Sequence, residues 1–310
     1  MARILTLTLN PALDLTVRLA HLEPGAVNRS ETLITHAAGK GVNVAQVLAD
    51  LGHQVSVGGF LGEANPEAFD ALIARRGFED AFIRVPGETR SNIKIAEQGG
   101  RVTDINAPGP QVREEAQEAL LKRIASIGPQ FDAVVVAGSL PRGVSPQWFQ
   151  KMLKQLKDLG LKVALDTSGE ALRAGLQAGP WLVKPNTEEL ADALGHATDA
   201  ISQLHQQGVE HVVVSDGAAG VSWYSAGVSL HATPPKVTVA STVGAGDSLL
   251  AGMLHGLLAG DTPEQTLRRA TAIAAMAVTQ IGFGISDDAQ LARLESAVHV
   301  RTLTEQQEGL

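Results

Sequence analysis

The stretch Ser241-Thr-Val-Gly-Ala-Gly-Asp-Ser248 places small residues, two glycines and one carboxylate directly before an apolar run. From Leu249 the chain reads Leu-Leu-Ala-Gly-Met-Leu-His-Gly-Leu-Leu-Ala, apolar nearly all round, which predicts a buried helix rather than an amphipathic one. The glycines then stand at a helix N-terminus, where the first N–H groups lack intrahelical partners and the helix dipole favours an anion. Without Cβ atoms at Gly244 and Gly246, a phosphate can approach the amides of Ala245, Gly246 and Asp247. Asp247 itself would repel that anion unless it has another task, and taking the proton of an attacking hydroxyl is such a task. Taken alone, an aspartate here reads better as a helix cap, since such caps are common.

A second glycine cluster opens at His36-Ala-Ala-Gly-Lys-Gly-Val-Asn-Val-Ala. Gly39 and Gly41 flank Lys40 at another expected helix start, and Val42, Val44, Ala45, Leu48 and Leu51 give that helix a buried face. The cluster is not a P-loop, because Gly-Lys-Gly lacks the following Ser or Thr and the upstream glycine. A third candidate is the pair Asn186 and Glu189. One helical turn apart, they share a face and offer hard oxygen ligands of the kind magnesium takes through water, although a first-turn glutamate also simply answers the helix dipole.

Positioning such groups requires a layered scaffold, and the chain supplies the pattern of one. Short Val-rich strands are expected at 132–137, 162–166, 181–184 and 211–215, ending in Gly138-Ser139, Thr167-Ser168, Asn186 and Asp216-Gly217. Helical spacing fills the intervals, as at 114–127 and at 263–281, the latter opened by a Thr262-x-x-Gln265 capping box and closed by Gly282. Alternation of this kind means a parallel sheet covered by helices, with ligands beyond the carboxyl ends of the strands. Two stretches break it. About 14–35 and 89–106 read as strands without helical cover, the second turning at Gln98-Gly-Gly-Arg101, and together they suggest a small β-sheet lid inserted in a single domain spanning 1–310. A sheet with an uncovered face needs a partner, so a homodimer through the lid is expected. The polar end, 302–310, is expected to fray.

Composition narrows the classes further. With 310 residues and 44% hydrophobic content the chain can bury a large core, and the absence of cysteine excludes disulfides and thiolate sites. A net charge of −8 argues against a nucleic-acid partner. The N-terminus alternates like a strand, and no apolar run is long enough to span a membrane, so a cytoplasmic protein is expected. The nine histidines lack zinc-ligand spacing such as His-x-x-x-His with an intervening Glu, and no Gly-x-Gly-x-x-Gly follows the first strand, which disfavours a metal hydrolase and a nicotinamide enzyme.

The two glycine clusters, in this order and separation, resemble the N- and C-terminal signatures of the PfkB family of sugar kinases, within the ribokinase-like superfamily. The resemblance covers nearly the whole chain and implies a ribokinase-like α/β fold. It implies Asp247 as general base beside an amide anion hole at Gly244, Ala245 and Gly246. Sugar contacts are implied for Asp14, in Thr8-Leu-Asn-Pro-Ala-Leu-Asp14, and for Gly39, Lys40, Asn43 and Ser139. Leu182-Val-Lys-Pro-Asn-Thr-Glu-Glu189 resembles the family's Asn-x-x-Glu element, which implies Lys184 and Asn186 at ATP and Asn186 with Glu189 at magnesium, through water. Ser215-Asp-Gly-Ala-Ala-Gly220 resembles its nucleotide loop, implying Ser215, Asp216, Gly217 and Gly220. Within the family, Thr89-Arg-Ser-Asn-Ile-Lys94 and Val102-Thr-Asp-Ile-Asn106 resemble the lid of members acting on fructose 1-phosphate, implying phosphate and sugar contacts by Arg90, Asn92 and Lys94, with Arg29 either a further cation for the phosphate or part of a loop that serves the neighbouring subunit. The implied reaction is ATP-dependent phosphorylation of the C6 hydroxyl of fructose 1-phosphate. Alternatives are a kinase of tagatose 6-phosphate or fructose 6-phosphate, and a sugar-phosphate-binding regulator without turnover.

Overall fold

The computed structural model describes residues 1–195 and 199–303. Strand β1 (Arg3–Thr8) leads into β2 (Ala12–Leu19), β3 (Thr32–Ala38), helix α1 (Lys40–Asp50) and β4 (Gln54–Gly62). Helix α2 (Glu67–Arg76) and β5 (Glu79–Val85) precede a hairpin, β6 (Arg90–Glu97) and β7 (Val102–Asn106). Helices and strands then alternate through α3 (Glu114–Ile127), β8 (Ala133–Ala137), α4 (Pro146–Asp158), β9 (Lys162–Asp166), α5 (Gly169–Leu176), β10 (Leu182–Val183), α6 (Thr187–Leu194), α7 (Ala200–Gln206) and β11 (His211–Asp216). The chain closes with β12 (Gly220–Ser225), β13 (Val228–Thr233), α8 (Ala245–Ala259), α9 (Pro263–Ala277), α10 (Asp288–Ala297) and β14 (His299–Thr302).

A ten-stranded sheet runs β14-β13-β12-β11-β10-β9-β8-β1-β4-β5. From β11 to β5 every neighbouring pair is parallel, and the last three strands form an antiparallel edge. The parallel part has helices on both faces, which is why β8 is a continuous apolar run, Ala-Val-Val-Val-Ala, buried throughout. Helix α8 is buried as its all-round apolarity predicts. Leu249, Leu250, Met253 and Leu254 are each at most 2% exposed, and each such side chain contributes about 1.5–3 kcal/mol of transfer free energy. No helix among the described residues is long and apolar enough to cross a membrane.

Two expectations at element ends need correction. Helix α9 opens with the expected capping box, Thr262 and Gln265 bonding each other's backbone N–H, but it stops at Ala277 instead of reaching Ile281. The Val278 carbonyl, which a longer helix would have used internally, accepts from Ala240 and Ser241 of the loop that leads to α8. The polar end is not loose from its start, since Thr302 pairs with Leu230 in β14; residues 304–310 lie outside the described residues.

The two uncovered stretches form one four-stranded sheet of order β3-β2-β6-β7, joined by parallel pairing of β2 with β6. Its register sets Asp14 beside Asn92 and His36, and Lys94 beside Asp104. Side chains alternate between faces, so Asp14, Arg90, Asn92 and Lys94 share one polar face. The opposite face carries Leu15, Val17, Leu33, Ile93, Ile95 and Ile105, of which Leu33 and Ile105 are 61% and 53% exposed.

Candidate active site

Helix α8 begins at Gly244, whose φ of 82° is a left-handed conformation that only glycine adopts cheaply. A Cβ there would also lie 2.7 Å from the Phe283 ring. Asp247 falls in the first turn, yet its carboxylate does not turn back to cap the helix. Its Oδ2 accepts a 2.8 Å hydrogen bond from Nδ2 of Asn43, 204 residues away in α1. Burial pushes the Asp247 carboxyl up to about 6, and the charge of Asp166 adds to the rise, while Asn43, Lys40 and Lys184 oppose it. A carboxylate of this kind is ionised at neutral pH and still basic enough to take a proton.

Helix α1 opens at Gly39, with φ 134° and with the Thr8 methyl 2.7 Å from where a Cβ would be. The next residue, Lys40, is a cation at the positive end of a helix, an unfavourable place for it. Its Nζ donates to Asp166 Oδ1 at 3.1 Å, and the other oxygen of Asp166 lies 3.3 Å from Lys184 Nζ, near enough for an ion pair though not aligned as a hydrogen bond. Burial depresses the Lys40 pKa, but Asp166 and then Asp247 more than offset this, so the ammonium is held above its ordinary value. Lys184 Nζ rests against the backbone of Gly246, 3.2 Å from the position of a Cβ there. Two cations and two carboxylates thus surround the start of α8. Asp166 was legible in the sequence only as the last residue of a strand; its place at a strand carboxyl end in an α/β sheet was the available signal.

On the small sheet, Asn92 Nδ2 donates to Asp14 Oδ1 at 3.1 Å. Burial raises the Asp14 pKa against the lowering effects of Asn92, Lys94, Arg90 and His36. Arg90 spans from β6 to the main domain, donating to the carbonyls of Ala107 (3.1 Å) and Asn10 (3.2 Å). Asn10, unnoticed in the sequence, also donates to Ser139 Oγ at 3.1 Å. Lys94 is drawn aside to Asp104 at 3.2 Å, across the sheet. Arg29 lies exposed in the segment between β2 and β3, outside this cluster. Several buried polar atoms here have no protein partner: Asn10 Oδ1, Asn43 Oδ1, Arg90 Nε and Asn92 Oδ1. Such orphans are costly, and a polyhydroxylated ligand is the kind of molecule that satisfies them.

Asn186 caps α6. Its Oδ1 accepts from Glu189 N at 2.7 Å, and Glu189 Oε2 accepts from Asn186 N at 2.9 Å. The pair is a reciprocal capping box, which leaves Oε1 of Glu189 available to a ligand. Ser215 sits beside it, with its N–H on the Pro185 carbonyl at 3.1 Å and a bridge to Asn186. Asp216 accepts from Thr187 Oγ1 at 3.4 Å. Gly217 opens a 3-10 turn, and Gly220 is required by the hairpin, where a Cβ would lie 2.2 Å from the Ala232 carbonyl oxygen.

The sequence matches the pfkB family carbohydrate kinase family over residues 7–290. It is 49% identical to the 1-phosphofructokinase of Vibrio cholerae serotype O1, over 97% of each chain. It is 45% identical to that of Escherichia coli K12, over 96% of this chain and 98% of the other. Among solved structures, phosphofructokinase-2 from Escherichia coli in complex with potassium superposes with a TM-score of 0.87 at 27% identity, over 96% and 99% of the two chains. On the sequence match and on these relatives, the chain belongs to the pfkB family of carbohydrate kinases.

Proposed function

We propose that this chain transfers the γ-phosphoryl group of ATP to the C6 hydroxyl of fructose 1-phosphate, giving fructose 1,6-bisphosphate and ADP. The observation that carries the reading is Asp247, a buried carboxylate with its pKa raised to about 6 at a glycine-started helix N-terminus. The choice of sugar is supported by the relatives at 49% and 45% identity, which are 1-phosphofructokinases.

In this reading the sugar lies across Asp14, Gly39, Lys40, Asn43, Asn92 and Ser139, with its phosphate on Arg90. Lys94 contributes to the field of the site while paired with Asp104. The small sheet acts as a lid over the sugar, excluding water that would otherwise hydrolyse bound ATP. ATP lies against Lys184, Asn186 and the loop from Ser215 to Gly220. Asp247 takes the C6 proton as the oxygen attacks in line, and the amides of Ala245, Gly246 and Asp247 meet the negative charge of the transferring group.

Magnesium fits this donor set only as an ion held mainly by the triphosphate and water. Among the described residues no group of three or more His, Asp or Glu is arranged to hold a metal alone. Glu189 and Asn186 would hold it through water, and it would supply charge neutralisation at the β- and γ-phosphates. With ATP and a phosphorylated sugar as its substrates, the proposed reaction is a cytoplasmic one. The apolar face of the small sheet, with Leu33 61% exposed, supports a homodimer formed by two such faces.

The test is ADP release by purified protein with ATP and magnesium, comparing fructose 1-phosphate, fructose 6-phosphate and tagatose 6-phosphate. The expected result is the highest kcat/KM with fructose 1-phosphate. Preference for either 6-phosphate overturns the sugar assignment, and binding of a sugar phosphate without turnover supports a regulator instead.

A further inference from the structure

The charges around the start of α8 balance when both aspartates are ionised, two carboxylates against two ammonium groups. They do not divide into two separate pairs. Lys40 comes from the sugar side and Lys184 from the nucleotide side, yet both turn to Asp166, one to each oxygen, at 3.1 and 3.3 Å. Asp166 is 1% exposed and the Lys184 side chain 5%, so a charge at either place needs a counter-charge in the protein because water does not reach it.

The backbone that carries the carboxylate is also well anchored. The Asp166 carbonyl accepts from Gly138 N at 2.9 Å, and Thr167 Oγ1 donates to the Gly138 carbonyl at 2.8 Å, locking the ends of β9 and β8 together. Lys184 N donates to the Leu165 carbonyl at 3.1 Å, which sets the lysine beside Asp166 on the adjoining strand. Lys184 Nζ then lies beside Gly246, 3.2 Å from where a Cβ would stand.

We propose that Asp166 is the positioning residue of this site, a fixed carboxylate that holds Lys40 and Lys184 together and keeps both ammonium groups off Asp247. The proposal rests on the reading of Asp247 as the base. Four groups bear on Asp247: Asn43, which donates to it, and the charges of Asp166, Lys40 and Lys184; Glu189 acts in turn on Lys40. With Asp166 neutralised, the lysines lose the carboxylate they share, Asp247 becomes the larger of the two remaining attractions on Lys40, ahead of Glu189, and a carboxylate paired to ammonium groups is a poor base.

The experiment uses Asp166→Asn in the full chain and a readout that does not need turnover, the carbon-13 NMR titration of the Asp247 carboxyl in the resting protein. The expected result is a midpoint lower than that of the unsubstituted chain by about one pH unit or more. In turnover, the acid limb of kcat moves down with it while kcat at its plateau falls about tenfold or more. A second arm needs no change at Asp166. Lys40→Met and Lys184→Met, singly and together, are expected to shift the Asp247 midpoint non-additively, because each lysine's position depends on the carboxylate it shares. An unmoved midpoint in Asp166→Asn, or strict additivity of the two lysine substitutions, overturns the proposal. A moved midpoint in a protein that turns over none of the sugar phosphates supports the positioning role and overturns the substrate reading alone.

Discussion

Replacing Asn43 by Leu removes the side-chain donor that, among the described residues, bonds to Asp247, while keeping the volume of a buried position. The lost interaction is a 2.8 Å bond to an ionised, buried carboxylate. Hydrogen bonds to charged groups contribute about 1.5–3 kcal/mol, and a pKa unit corresponds to about 1.4 kcal/mol, so the loss amounts to about one to two units. The bond favours the charged form, and its removal therefore raises Asp247 from about 6 to about 7–8. At pH 7 the ionised fraction falls from about nine-tenths to between about a half and a tenth. The assay is kcat at saturating ATP and fructose 1-phosphate from pH 5 to 9, since the kcat profile reports groups in the ternary complex. The expected result is a several-fold loss at pH 7 that is recovered by pH 9, together with a raised KM for the sugar at every pH. A loss of the same size at all pH values, with the acid limb in place, would refute the reasoning and confine Asn43 to sugar binding.

Three further outcomes are expected. Because the Asp247 pKa is raised on folding, the native state binds the proton more tightly than the unfolded chain, and ionised Asp247 costs stability fully above pH 6, a cost that disappears as pH falls toward 4. Asp247→Asn is therefore expected to raise Tm at pH 8, by a stability gain on the order of 2–3 kcal/mol, and to leave it unchanged near pH 4; calorimetry at the two pH values checks this. Gly244→Ala imposes a left-handed backbone on alanine, costing about 1–2 kcal/mol, and drives a Cβ into the Phe283 ring, so Tm falls and KM for ATP rises; wild-type values for both would contradict the role given to this glycine. Ile93→Glu puts a charge in the middle of the apolar face of the small sheet, and sedimentation velocity is expected to show a dimer for the unsubstituted chain and a monomer for the variant.

The features legible in the sequence are those set by neighbours along the chain. Helix α3 occupies the expected 114–127, the Thr262–Gln265 capping box forms, and the hairpin turns at 98–101, with Gly100 at φ 83°. Asn186 and Glu189 share a face as their spacing requires, though each commits one side-chain oxygen to the other's backbone N–H. Features that depend on distant partners were hidden. Helix α9 ends early where a loop nearly forty residues upstream takes the carbonyl of Val278, the residue that caps it. Asp166 acquires its place only through Lys40, 126 residues away, and through Lys184, which directly follows the next strand. The pairing of Asp14 with Asn92 follows from a parallel β2–β6 ladder that no local pattern announces. Lys94 was legible as a charge, but its partner Asp104 is fixed by the cross-strand register of β6 and β7.

The most direct test of Asp247 as the base is Asp247→Asn, measured for ATP binding by titration calorimetry and for kcat at saturating fructose 1-phosphate and pH 8. Asparagine serves the start of a helix about as well as aspartate but cannot accept the C6 proton. The account predicts ATP affinity within about threefold of the unsubstituted chain and a kcat lower by on the order of 10²–10⁴. A variant that binds ATP and turns over at a rate within a few-fold of the original would contradict it, and would leave Asp247 as a buried partner of Asn43 with no part in the proton transfer.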